Sequence, residues 1–270
     1  MQGSSRAAAA AVHEAFGVVL DTPDDRRQLA RDLFAVTDTV DGNVALRRAL
    51  ADPSREGDAK SRLVAQLFGG KISDGALRLT QAAVSQRWSE DKDLTDTLES
   101  LAVGSVVAAA ERENYADQLE DEVFRFERIV AGNSGLRDAI TDRRASAESK
   151  RELVARLLHG KSCDGAQLLL ERAVTTPRGR RFDQVIDAYL REAGTRRDQL
   201  AAVVTTAVEL DASQRERLVG ALSRHYGKPV HLYVVLDQAV LGGIRIQIGD
   251  DVVDGTILRR LDEARRHFGG

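Results

Sequence analysis

An internal duplication constrains the fold of this chain more than any other feature of its sequence. Aligned with itself at a constant offset of 90, the stretch 43–84 matches 133–174 without a gap, and eighteen of the forty-two positions are identical. Unrelated segments of such composition share roughly a tenth of their positions. A unit of this length exceeds the common solenoid repeats, so the duplication predicts two small bundles in tandem.

The spacing of apolar residues predicts helices in both copies. The spacing of four, three and four residues is one stripe of an α-helix, and it occurs twice. The residues are Leu29, Leu33, Val36 and Val40 in the first copy and Leu119, Val123, Phe126 and Val130 in the second. The first copy opens with an alanine-rich helix over residues 6–20, and the second with a helix over about 101–130.

Helix ends are also predicted at matching places. Short amphipathic helices cover 60–68 and 150–158, and each ends before a glycine, Gly70 or Gly160, that suits the left-handed C-terminal position. The next helix of each copy follows Ser73-Asp74 or Cys163-Asp164, where the aspartate is predicted as the N-cap.

The pattern changes after Gly194. A β-branched run at 203–208 predicts a strand, and Asp211 followed by Ser213-x-x-Glu216 predicts a capping box that starts a helix. This helix ends at Gly227-Lys228-Pro229, and strands follow near 231–236 and 244–248, then a closing helix. The expected fold is mostly α with a small α/β C-terminal domain. Its domains are a helical bundle at 1–100, a second bundle at 101–195 and the α/β domain at 196–270.

Composition excludes several functional classes. The net charge of −3 provides no general attraction to nucleic acid or to an anionic membrane. The single cysteine, Cys163, excludes an internal disulfide and a multi-cysteine metal site. No apolar run approaches the roughly eighteen residues that a membrane span needs, and the N-terminus lacks a secretory signal.

One segment imitates a phosphate-binding loop. Ala155-x-x-x-x-Gly160-Lys161-Ser162 satisfies its loose form, but that loop requires a strand before it, whereas a helix is predicted here. The duplicated segment reads Gly70-Lys71-Ile72 and lacks the hydroxyl that would hold magnesium. The five histidines have no metal-ligand spacing. We therefore expect no catalytic residue, cofactor or metal, which favours a structural or adaptor protein over an enzyme.

The C-terminal stretch carries a family resemblance. It consists of two runs, Asp237-x-x-x-Leu241-Gly242-Gly243-Ile244 and Gly249-Asp250-x-Val252-Val253-Asp254-Gly255-Thr256. Together they resemble the signature of the delta subunit of F-type ATP synthases, the oligomycin sensitivity-conferring protein family. The candidate signature residues, with a structural role, are Leu241, Gly242, Gly243, Gly249, Asp250, Val253, Asp254 and Gly255.

The resemblance implies a peripheral-stalk subunit on the cytoplasmic side of the cell membrane. It would join the N-termini of the α subunits, held by a helical bundle, to subunit b, held by the C-terminal domain. In this way it would resist rotation of the catalytic head during proton-driven ATP synthesis, without catalysing a step. The family's groove-forming first helix corresponds to 6–20, with candidate groove residues Ala11, Ala15, Val18 and Val19.

The duplicated bundle departs from the usual family pattern. It resembles the extended delta region of actinobacterial synthases, in which that region can be fused behind a b-like segment. Because the sequence opens with its own Met and lacks a b-like membrane helix, a free-standing subunit is expected. Either copy could hold the α segment while the other braces the stalk or the head.

Two rival functions remain open at this point. A helical RNA-binding or adaptor protein of the transcription-factor bundle type is disfavoured by the net negative charge and by the lack of an aromatic-basic surface. A phosphate-loop enzyme is disfavoured by the predicted helix before Gly160. The isolated chain is expected to be a monomer, with one copy in each complex.

Overall fold

The computed structural model describes residues 3–22, 24–240, 243–249 and 251–254, and these contain twelve helices and four strands. The predicted fold class, mostly α with a small α/β part near the C-terminus, is confirmed. The chain divides into two compact units, Met1–Glu192 and Ala193–Gly270. The helices are α1 Gly3–Leu20, α2 Arg26–Asp41, α3 Val44–Ala51, α4 Gly57–Phe68, α5 Asp74–Ser85, α6 Asp91–Arg112, α7 Ala116–Gly132, α8 Ser134–Thr141, α9 Ala147–Leu158, α10 Asp164–Thr175, α11 Phe182–Arg196 and α12 Ala212–Tyr226.

The duplication is visible helix by helix in the first unit. Helices α7, α8, α9 and α10 each begin 90 residues after α2, α3, α4 and α5. Helices α3, α4 and α5 also end 90 residues before their counterparts. Both predicted apolar stripes are buried, and one continuous hydrophobic core runs through the two copies. The two copies therefore pack on each other.

Helix α6 belongs to both copies. At the offset of 90, α1 corresponds to residues 93–110, which lie within α6. The same shift carries α6 onto residues 181–202, where α11 begins. Thus α6 is the last helix of the first copy and the first helix of the second, and sixteen of its twenty-two residues are buried. The expected border between residues 100 and 101 falls inside this helix.

The prediction of one helix over 101–130 is wrong. Helix α6 ends at Arg112, and α7 begins at Ala116 after a turn in which Asn114 takes a φ of 60°. Asparagine tolerates this left-handed conformation better than most residues, so the chain can break here without glycine or proline. The predicted glycine endings are confirmed, because Gly70 and Gly160 have φ values of 71° and 67°.

The predicted aspartate N-caps are also wrong. Ser73 caps α5 by accepting from the Ala76 amide at 3.4 Å, and Cys163 holds the same position before α10 without a side-chain hydrogen bond. Asp74 and Asp164 are the first helical residues instead. A carboxylate in the first turn still stabilises a helix, because it lies near the positive end of the helix dipole.

The second unit contains a four-stranded sheet in the order β2-β1-β3-β4. Strands β1 (Leu200–Thr206) and β2 (Val230–Leu236) are parallel and are joined through α12. Strand β3 (Ile244–Ile248) is antiparallel to β1, and β4 (Asp251–Asp254) is antiparallel to β3. Side chains of β1, β2, β3 and α12 form a separate core, which includes Ala202, Val204, Leu222, Leu232 and Ile246.

Sequence predictions for this unit are largely confirmed. Ile246 and Ile248 are buried while Arg245 and Gln247 are exposed, as the alternation indicated. The capping box is formed by Asp211 and Gln214 rather than by Ser213 and Glu216, because Asp211 occupies the N-cap position. Val208 lies beyond the end of β1 and is exposed. The expected closing helix lies outside the described residues.

Candidate docking faces and the ionic junction between the copies

The predicted groove residues of α1 divide between two sides of the helix. Ala11 is exposed, Ala15 is half-buried, and Val18 is 68% exposed. These three residues, here called the α1 face, follow the spacing of four and three that places side chains on one side of a helix. Val19 is only 6% exposed and packs in the core, so it does not belong to the α1 face.

The corresponding residues of the second copy are buried. Shifted by 90, the α1 face becomes Leu101, Ser105 and Ala108 on α6, and all three have no exposed surface. Helix α2 of the first copy closes over this region, since the Arg26 guanidinium donates to the Ala108 carbonyl at 2.9 Å. The two first helices therefore differ: α1 exposes this face to solvent, and α6 buries it inside the unit.

A buried ionic cluster joins the copies. The Arg178 guanidinium lies 2.9 Å from Glu99 and 2.9 Å from Asp96, both on α6, and 3.3 Å from Asp41 at the end of α2. Arg180 also pairs with Glu99, at 2.6 Å, and the Tyr189 hydroxyl donates to the same carboxylate at 3.2 Å. The loop before α11 is thus attached to both copies.

Burial and charge act in opposite directions within this cluster. Burial lowers the pKa of Arg178, but the neighbouring carboxylates Glu99, Asp96 and Asp41 raise it by more, so the net shift is upward. Burial also raises the pKa of Asp96, and the positive charges of Arg178 and Arg180 oppose that shift only in part. The arrangement keeps Arg178 charged in a site that water hardly reaches.

A second ionic contact links α10 to α2. Arg172 pairs with Asp38, and its guanidinium carbon lies 4.6 Å from the centroid of the Phe34 ring. A guanidinium over an aromatic ring gains a cation–π attraction as well as the ion pair. Arg27 adds a third contact through Glu113 at 2.6 Å, where α6 ends.

The burial of Arg178 contrasts with its local sequence. Arg178, Arg180 and Arg181 lie around Gly179, a composition typical of a solvated basic loop, but the side chain of Arg178 is 4% exposed. One signal in the sequence could have revealed this. At the offset of 90, Arg178 aligns with Trp88, and a position that holds tryptophan in one copy is a candidate for burial in the other.

The phosphate-loop imitation is the end of a helix. Helix α9 precedes Gly160 and Lys161, as predicted, and the Lys161 amide donates to the Leu158 carbonyl at 2.8 Å in the helix-ending turn. Burial raises the pKa of the neighbouring Cys163 thiol to about 11. The Cys163 amide donates to Glu122 at 2.7 Å, which fixes this turn to α7.

The signature residues that the structure describes lie at the turns and the edge of the sheet. Gly243 and Gly249 take φ values of 93° and 55°, on either side of β3, and this conformation favours glycine. In the register of β4 against β3, the backbone of Val253 lies opposite Ile246 and that of Asp254 lies opposite Arg245. Leu241, Gly242, Asp250 and Gly255 lie outside the described residues.

The residues that the structure describes contain neither a candidate metal cluster nor a candidate membrane-spanning helix. Among those residues, no group of three or more histidine, cysteine, aspartate or glutamate side chains is arranged to hold a metal ion. None of the described helices combines the length and the apolar character needed to cross a bilayer.

Known proteins are similar in sequence to this chain along nearly its whole length. The family model for the ATP synthase delta (OSCP) subunit matches residues 103–268, from inside α6 onward. The ATP synthase subunit delta of Kineococcus radiotolerans is 44% identical over 269 residues, covering 99% of this chain and 98% of its own. Those of Streptomyces avermitilis (45%, 98% of each chain) and Streptomyces griseus (42%, 100% of each chain) are also similar.

These matches identify the class of protein as a structural subunit in the peripheral stalk of a hetero-oligomeric ATP synthase complex. The chain belongs to the ATP synthase delta (OSCP) subunit family. The resemblance seen in the sequence is confirmed. The family model starts within α6, so it matches the second copy and the α/β unit, whereas the full-length relatives also align with the first copy.

Proposed function

We propose that this chain is a non-catalytic link between the catalytic head of an ATP synthase and its peripheral stalk. The helical unit holds N-terminal segments of the α subunits, and the α/β unit holds the C-terminal end of subunit b. On the cytoplasmic side of the membrane, the chain resists rotation of the head while the rotor turns. Membership of the delta (OSCP) family is the observation that supports this function.

Within this function, we assign the α segment to the first copy. An amphipathic helix docks by placing apolar side chains, spaced at three and four residues, against an accessible apolar surface. The α1 face has this spacing and is open at Val18, whereas Leu101, Ser105 and Ala108 of the second copy are buried beneath α2. The second copy then braces the stalk or the head.

The division of the chain into functional domains is part of the same proposal. Bundles at 1–100 and 101–195 and an α/β domain at 196–270 remain our proposal for the functional parts, with α6 shared by both bundles. Because a cut near residue 100 would divide α6, isolated bundle fragments would each contain only part of this core helix. Binding is therefore best measured on the full chain.

The test uses a synthetic peptide with the N-terminal sequence of the α subunit from the same organism, titrated into the full chain by calorimetry. Val18→Asp places a charge on the α1 face, and we expect at least a tenfold loss of affinity, about 1.4 kcal/mol. Ile129→Asp is the matched control, because Ile129 is another exposed apolar helix residue, on α7. Equal binding by the two variants would refute the assignment to the first copy.

The α/β unit is tested separately. Val252 and Val253 are exposed on β4, at the edge of the sheet, and an edge strand with apolar side chains suits a protein contact. A tagged chain purified from detergent-solubilised membranes is expected to carry both α and b, and Val253→Lys to lose b while it retains α. Recovery of the chain without either subunit would contradict the proposed function.

A further inference from the structure

The second copy contains a cavity of about 580 Å³ between the end of α7, helix α8 and the loop before α11. Its floor includes the buried apolar side chains of Val130, Ile140 and Phe182. Its wall carries the cations Arg137, Arg143 and Lys150. Within the described part of the chain, no carboxylate lies within ion-pair distance of these three side chains.

The other charges of the cavity are largely compensated. Arg180 pairs with Glu99, and Arg181 pairs with Asp183 at 2.5 Å. Glu127 also lines the cavity, but its nearest cation is Arg128, at 4.0 Å, and burial raises the pKa of this carboxyl. Three cations therefore face one carboxylate whose charged form is disfavoured by burial.

The first copy provides an internal reference for these cations. Arg47, the counterpart of Arg137, pairs with Asp41 at 3.4 Å and with Asp91 at 3.0 Å. At the offset of 90, Asp41 is replaced by Ala131 and Asp91 by Arg181, so the second copy has lost one counter-charge and reversed the other. The arginine itself has been kept.

A lysine and a tryptophan of the first copy also differ in their surroundings or identity from their counterparts in the second copy. Lys60, the counterpart of Lys150, is 3% exposed and donates to the carbonyls of Asp52 and Gln86 at 3.4 and 3.3 Å. The Trp88 side chain is buried in the first copy, and its indole N–H donates to the Ala83 carbonyl at 2.9 Å. The aligned residue in the second copy is Arg178, whose side chain binds Glu99 instead.

We propose that this cavity binds an acidic segment of a neighbouring subunit, with one apolar side chain on the floor and carboxylates against Arg137, Arg143 and Lys150. Guanidinium groups match carboxylates in charge and in fork geometry. The volume lies in the range of about 300–1,000 Å³ that suits a specific site. An apolar floor favours a peptide over a free phosphate ion, which has no apolar part to bury.

This inference rests on the proposed function, because the neighbouring subunit belongs to the same complex. The purified complex is treated with a zero-length carbodiimide, which joins a lysine amine to a carboxylate in direct contact, and the products are mapped by mass spectrometry. We expect Lys150 to be coupled to an aspartate or glutamate of another subunit. Lys60 is the matched control within the chain, and it is expected to remain uncoupled because it is buried.

A pair of variants sharpens the test. Arg143→Glu is expected to reduce the Lys150 product at least tenfold, because it places a repelling charge in the cavity. Arg156→Glu makes the same change of charge at an exposed position of α9 outside the cavity, and it is expected to leave the yield unchanged. Equal yields from both variants would overturn the proposal.

The remaining outcomes are distinct. If the chain carries α and b on purification but Lys150 couples only within its own chain, this inference fails and the proposed function stands. If the chain carries neither subunit, both fail. The last measurement is a titration of pyrophosphate into the isolated chain. If pyrophosphate binds, and this binding is lost in Arg143→Glu but kept in Arg156→Glu, the cavity is a site for phosphate compounds and the proposal of an acidic peptide is overturned.

Discussion

Arg178 and Glu99 form an ion pair of 2.9 Å between side chains that are 4% and 2% exposed, although the two residues are 79 positions apart in the chain. Glu99 lies on α6, the helix that both copies share, and Arg178 precedes α11. The pair therefore fastens the loop of the second copy to the common helix. Without Glu99, Arg178 would keep only Asp96 and Asp41, and Arg180 would lose its carboxylate.

Glu99→Ala is expected to lower the free energy of unfolding of the helical unit by about 3 kcal/mol, because Arg178 would stay buried with only Asp96 and Asp41 as partners, and Arg180 would lose its buried carboxylate. Trp88 is the only tryptophan of the chain and lies in this unit, so its fluorescence during urea denaturation reports the effect. Glu148→Ala, which removes an exposed pair with Arg151, should cost less than about 1 kcal/mol. Similar losses from both variants would show that burial does not strengthen the Glu99 pair.

Two aligned glycines should respond differently to alanine. A Cβ added at Gly165 would lie 2.6 Å from Leu119 Cδ1 and 3.2 Å from Val106 Cγ1, whereas one at Gly75 would come no closer than 3.1 Å, to Val19. Gly165→Ala is therefore expected to cost about 1–3 kcal/mol through overpacking. Gly75→Ala should change stability by less than about 1 kcal/mol, because improved helix propensity offsets the tighter contact. Thermal denaturation of both variants measures the difference, and a larger loss at Gly75 would contradict the packing.

Cys163 should react slowly with thiol reagents at neutral pH. Burial raises the pKa of this thiol from 9.0 to about 11, so the reactive thiolate at pH 8 is about 100-fold scarcer than for an unperturbed thiol. The rate of iodoacetamide alkylation is expected to rise with pH until about pH 11. The urea-unfolded chain is the control, and it should react as an ordinary cysteine. A native rate that levels off near pH 9 would contradict the raised pKa.

The capping box of α12 provides a test in the second unit. The Asp211 carboxylate accepts from the Gln214 backbone N–H at 2.8 Å, and the Gln214 side-chain oxygen accepts from the Asp211 backbone N–H at 2.9 Å. Asp211→Ala should destabilise α12 by about 1 kcal/mol, measured by hydrogen exchange of its amides. Ser213→Ala should change this value by only a few tenths of a kcal/mol, because Ser213 lies inside the helix. A larger effect at Ser213 would restore the capping box that the sequence suggested.

The sequence predicted this fold best where short-range interactions decide the structure. Gly70, Gly160 and Gly227 end helices because a left-handed residue is needed at those places, and the alternation around Ile246 identified a strand. The break at Asn114 was missed because it lacks glycine and proline. The duplication could have revealed it, since the end of α1 at Leu20 corresponds to Ala110, within one turn of the end of α6.

The candidate site was predicted less completely. Ala11, Ala15 and Val18 lie on one side of α1, but Val19 packs into the core, because one more residue rotates a side chain by about 100° around a helix. Nothing in the spacing of α6 showed that the matching residues would be covered. Their burial depends on α2, which approaches from the other end of the repeat.

The sequence by itself determined the duplication, the helix and strand types, and the family to which the chain belongs, because each depends on residue patterns that are local or directly comparable along the chain. Only the tertiary structure decided that α6 is shared, that α1 alone keeps an open first-helix face, and that Arg178 is buried against Glu99. These features arise from contacts between segments tens of residues apart, which form only when the two copies pack around one core.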